Sequence, residues 1–169
     1  MAEAFQKLRD TEQHLADLKR EEPLCAAIAA KSGILAAYPS LQNLRRIFAA
    51  FLAAGQAAIS LIDESQRKKV QQAQKSRPLL DALNNLRNIE HHKTLLSLGN
   101  TTCIVMGPGG GSRTNHISID SSQLALLPGF NQKPKLVEAL TMKSIVEFAE
   151  EATAELRAFL QDRPWEKTS

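Results

Sequence analysis

Apolar residues recur at threes and fours through most of this chain, and one stretch breaks that rhythm. From Ala2 to Glu21, Phe5, Leu8, Leu15 and Leu18 fall on one face with charges between them, the spacing of an amphipathic helix. Pro23 suits the first turn of a second helix, the alanine-rich run Leu24 to Tyr38, which Pro39 is expected to stop because its ring clashes and its N–H is missing. Ser40 is an apt N-cap for a long third helix carrying Leu41, Leu44, Phe48, Phe51, Leu52, Gly55, Ile59 and Ile62, with Asp63 to Lys75 as its polar, solvated extension. Ser76 and Pro78 announce a fourth, in which Leu79, Leu83, Leu86 and Ile89 form the buried stripe and Gly99 is the expected left-handed cap.

The period then drops from 3.6 to 2. Thr101 to Met106 and Asn115 to Asp120 are β-branched or alternating and flank the run Gly107-Pro108-Gly109-Gly110-Gly111-Ser112, which predicts a β-hairpin with a glycine-rich tip. Leu136 to Thr141 is a candidate third strand. Ser144 with Glu147 has the form of a capping box, and Ile145, Phe148, Ala152, Leu156 and Phe159 define a last helix that Pro164 ends, leaving Trp165 in a short tail. The expected fold is mainly α: an antiparallel helical bundle with a small antiparallel β-hairpin or sheet, roughly 101–141, inserted before the C-terminal helix. Residues 1–169 are read as a single domain.

Composition narrows the class. At 169 residues with 43% hydrophobic content, the chain is long enough for one substantial core. A formal charge of +3 helps a polyanion approach without amounting to a dedicated nucleic-acid stripe. Cys25 and Cys103 stand far apart, in neither a CxxC nor a Cys/His spacing, which points away from disulfide scaffolds and zinc motifs and toward a reducing cytoplasm. Glu3, Lys7, Arg9 and Asp10 occupy the place of a signal peptide's apolar region, and Gln56 and Ser60 interrupt the apolar stretch Ile47 to Ile62, so neither secretion nor a membrane partner is expected.

The candidate chemistry lies in Arg87-Asn88-Ile89-Glu90-His91-His92, on the predicted fourth helix. A guanidinium holds phosphate and an imidazole moves protons near neutral pH, a combination suited to phosphodiester chemistry. At about 100° per residue, Asn88 and His92 share one face and Arg87 and His91 lie on the neighbouring one, so one helix presents both pairs at the rim of a cleft. An alternative is a solvated face in which Glu90 pairs with Lys93 or Arg87 at helical spacing. Glu90, His91, His92 and distant His116 are ordinary metal-ligand types, but adjacent histidines point apart and no HExxH completes a site. No GK[ST] follows the glycine run, so a phosphate-binding loop is not indicated, and a solvated loop is the default for Arg113 beside it.

Arg87-Asn88-x-x-x-His92 resembles the RNxxxH form of the Rx4-6H signature of the HEPN superfamily, helical domains found in many prokaryotic ribonuclease toxins and RNA-targeting effectors. The helical setting and the long preceding helix match that family as well; the hairpin is an addition to it, and Arg9 with His14 meets the looser signature without the asparagine. The resemblance implies RNA cleavage without metal or cofactor, with Arg87 stabilising the transition state's extra charge, Asn88 as the polar residue beside it and His92 as the acid/base. Glu90 and His91 are supporting candidates. One copy offers few acid/base groups, so a homodimer is expected, with RNA as substrate and a protein partner such as an antitoxin as regulator. The alternative is a non-catalytic module binding RNA, a nucleotide or a protein through the same cleft.

Overall fold

The computed structural model describes residues 1–62, 64–92, 98–107, 110–120, 140 and 143–166, with the side chains at 91, 92, 100, 103–107 and 110–114 outside that description. Its elements are α1 (Ala2–Ser32), α2 (Tyr38–Ser60), α3 (Arg67–Lys75), α4 (Pro78–His92), β1 (Leu98–Gly107), β2 (Gly110–Ile119) and α5 (Ile145–Asp162). The architecture is mainly helical, with a small antiparallel hairpin before the C-terminal helix.

The first two expected helices are one. α1 runs through Pro23 for 31 residues, giving up the hydrogen bond a residue-23 N–H would make to the Lys19 carbonyl. Leu18 before the proline and Cys25, Ala26 and Ala29 after it are all buried in the same core cluster, so packing on both sides keeps the helix continuous past the proline. Gly33 ends it, at φ 85°, with its N–H on the Ala29 carbonyl at 3.0 Å. That left-handed backbone suits a residue without Cβ. Pro39 accordingly opens a helix instead of closing one: Ala37, not Ser40, is the N-cap of α2, and the proline sits in its first turn.

α2 also stops earlier than its polar sequel suggested. After Ser60 the chain turns through about 90°, passes a short 3-10 turn at Glu64–Gln66 and forms the separate helix α3, which buries Val70 and Gln74. The expectation of a solvated extension is therefore corrected. Gln74 is only 4% exposed, and its amide donates to Gln56 Oε1 at 2.9 Å and to the Leu80 carbonyl at 3.1 Å, stitching α3 to α2 and α4. Such bonds remove the cost of burying an amide.

α4 buries Leu80, Ala82, Leu83, Leu86 and Ile89, with Leu79 half-buried beside them. Where α4 meets α2 the Leu83 side chain occupies the space a side chain at position 55 would need, since a Cβ built on Gly55 would lie 2.8 Å from Leu83 Cδ1. Gly99 is not a helix cap but a β1 residue paired with Ser118. The hairpin is longer than its alternation suggested: the ladder runs unbroken from Leu98↔Ile119 to Gly107↔Gly110, so most of the glycine run is strand. The candidate third strand lies outside the described residues except for Leu140, which is helical and buried.

The hairpin's base is anchored in the core by Ile117 and Ile119 and by Glu22 of α1, whose Oε1 accepts the Ile117 N–H at 2.8 Å. α5 begins with the expected capping box, Ser144 Oγ accepting from Glu147 N at 3.0 Å and Glu147 Oε2 from Ser144 N at 2.8 Å. Arg163 closes it in left-handed geometry, and Trp165 folds back into the core instead of trailing off, 2% exposed and 4.8 Å from Phe159 between ring centroids. Among the described residues two clusters make up the core: one around Phe48, Phe51 and Phe148, the other around Leu80, Phe159 and Trp165. No single helix among the described residues is long and apolar enough to cross a membrane.

Candidate functional site

Helix α4 carries the motif, and its two faces have separate duties. Leu83, Leu86 and Ile89 commit one face to the core, which leaves Arg87 half-buried at its edge and Asn88 exposed. The two meet: Arg87 Nη1 donates to Asn88 Oδ1 at 3.2 Å. The asparagine thereby helps to hold a guanidinium whose remaining N–H groups have no partner among the described residues.

Glu90 faces elsewhere. Its Oε1 is 2.8 Å from Arg45 Nη2 of α2, and both side chains are 16% exposed. This inter-helix pair ties the end of α4 to α2, while the expected partner Lys93 lies outside the described residues. A pair this shielded loses little to solvent screening, and breaking it would strand a charge. His91 and His92 complete α4 as helical backbone, while their side chains lie outside the description. His116 is on β2, opposite Thr101 in the ladder, with Nε2 buried and unpartnered among the described residues. Arg113 is also a β2 residue.

Arg87 has a second setting that the motif alone did not foretell. It lines a cleft of about 710 Å³ between α2, α3 and α4, whose walls include Gln56, Arg67, Gln71, Gln74 and Asn84. This volume is within the usual range for a small-molecule or nucleotide pocket. Gln56 and Gln74 are hydrogen-bonded to each other, but Arg67, Gln71 and Asn84 have no hydrogen bond or ion pair among the described residues. Glu64 supplies a carboxylate at the same rim. The sequence does not announce Glu64, Arg67, Gln71 and Gln74 as a wall, because the polar run 63–75 reads as a solvated end. The available signal was the pair Val70 and Gln74, one helical turn apart, which marks a buried face within the polar run.

The arrangement joins a guanidinium held by an amide to a groove of amides with a second guanidinium. Arginine is suited to phosphate oxygens, and Asn and Gln present paired donors and acceptors that match base edges. Comparison of the chain with protein-family models, curated proteins and solved structures returned no match.

Proposed function

We propose that the chain is a HEPN-like RNA-binding protein of the cytoplasm acting as a metal-independent endoribonuclease. The observation that carries this reading is the hydrogen-bonded Arg87–Asn88 pair on the open edge of α4, with Arg87 lining a cleft while the opposite face of the helix is fixed in the core. In the reaction His92, one helical turn beyond Asn88, takes the proton of a ribose 2′-hydroxyl. The 2′-oxygen bonds to the adjacent phosphorus, Arg87 stabilises the phosphorane's added negative charge, and the bond to the 5′-oxygen breaks. The leaving oxygen takes a proton from a second histidine, giving a 2′,3′-cyclic phosphate and a 5′-hydroxyl. One motif lacks that second acid, so a twofold homodimer supplies it. A protein partner that occludes this face, as an antitoxin would, is the expected inhibitor.

The second reading is a binding module without chemistry. It draws on the two carboxylates of α4, both already engaged: Asp81 accepts from Asn85 at 3.1 Å and Glu90 is held by Arg45. Incubating the purified protein with unstructured RNA in EDTA separates the two. Cleavage to cyclic-phosphate ends is expected, with His92→Ala and Arg87→Ala each about 100-fold or more slower, and His91→Ala affected less. Uncut RNA, or an unaffected His92→Ala, overturns the nuclease reading. Light scattering at micromolar concentration should give the mass of a dimer, and a monomer alone would remove the second acid.

A further inference from the structure

Apart from Arg87, the cleft beside α4 is built from residues the motif does not include. Arg87 is common to both, since its guanidinium touches Asn88 of the motif and lines the cleft. Across from it α3 contributes Arg67 and Gln71, and α4 itself contributes Asn84, one turn before Arg87. These three side chains have no hydrogen bond or ion pair among the described residues, so their donors and acceptors are free for a ligand. The Gln56–Gln74 bond forms a fixed floor, with Gln74 itself 4% exposed and held a second time by the Leu80 carbonyl.

We propose that this cleft is a nucleotide subsite, receiving one nucleotide of a single-stranded RNA next to the bond at the motif. The inference rests on the RNA-directed reading and extends it. Arg87 and Arg67, on facing helices, hold successive phosphates, and Gln71 and Asn84 bond the edge of the enclosed base. Guanidiniums are chosen here over lysines by geometry, because a planar fork grips phosphate oxygens in pairs. The carboxylate of Glu64 at the rim disfavours a ligand that is phosphate alone, since it repels an anion but accepts from a base amino group or a ribose hydroxyl. Single strands are favoured over duplex because a cleft of this size admits an unstacked base and not a paired one.

Binding is measured apart from cleavage by fluorescence anisotropy, using the full chain, EDTA and short fluorescein-labelled 2′-O-methyl oligonucleotides, which lack the nucleophile. Arg67→Ala is expected to raise Kd about tenfold or more, and Gln71→Ala and Asn84→Ala to weaken binding less and unequally among uridine, cytidine and adenosine oligomers. Lys31→Ala, an equal loss of charge at an exposed position of α1, should stay within about twofold. Circular dichroism of each variant checks its fold. Arg67→Ala binding like the wild type, or Lys31→Ala losing as much, overturns the subsite. A protein that binds through the cleft but never cuts RNA keeps the subsite and loses the nuclease; one that cuts RNA with Arg67→Ala unimpaired keeps the nuclease and loses the subsite. Failure of the wild type to bind any oligonucleotide removes the subsite outright.

Discussion

Glu22 is the buried acid on which the hairpin rests. Burial pushes its carboxyl above the usual range, and nearby Glu147 adds to that; the Ile117 N–H and the Ser144 hydroxyl oppose the shift but do not cancel it. Glu155, on α5, is raised in the same way, chiefly by burial. A carboxyl that holds its proton more tightly folded than unfolded favours folding below the ordinary carboxylate range, and this contribution is lost as pH rises through the raised value. Glu22→Gln keeps the oxygen that accepts from Ile117 and removes the titration. Thermal melts from acid to neutral pH are therefore expected to show the wild type losing stability relative to Glu22→Gln as pH climbs. Parallel profiles would mean that Glu22 is not the titrating group.

Elements differ in how openly the sequence declares them. α4 and α5 were legible because stripe and cap agree: Leu83, Leu86 and Ile89 recur at helical spacing, and Ser144 with Glu147 forms the box its spacing implies. The Arg87–Asn88 neighbourhood was legible for the same reason, being set by that stripe. α1 misled because a proline's cost of about 3 kcal/mol is local, whereas the burial of Leu18, Cys25, Ala26 and Ala29 that offsets it depends on another helix, α2, packing against them. α3 was hidden for a related reason. Its buried face consists of Val70 and the amide of Gln74, and an amide becomes a core residue only when partners such as Gln56 and Leu80 exist in three dimensions. The α3 wall of the cleft was hidden with it.

On the scale of the whole molecule, the C-terminal turn closes the second core cluster. Trp165 is packed against Phe159 and shares a cluster with Ala4, Leu8, Ile59, Val70 and Leu80, so one side chain joins both ends of the chain to the helices that wall the cleft. Trp165→Ala is expected to cost about 3–5 kcal/mol by denaturant unfolding, the usual loss for a fully buried large aromatic. A loss below about 1 kcal/mol would show that the turn is dispensable. The crossing of α2 and α4 has a mechanical consequence of its own. Leu83, wholly enclosed, sits over the bare backbone of Gly55 like a detent in its notch. A methyl at position 55 would claim the space that the Leu83 side chain now fills, so Leu83 would have to shift to admit it, and the helix that carries Arg87 to the cleft owes its seat on α2 to the side chain residue 55 lacks.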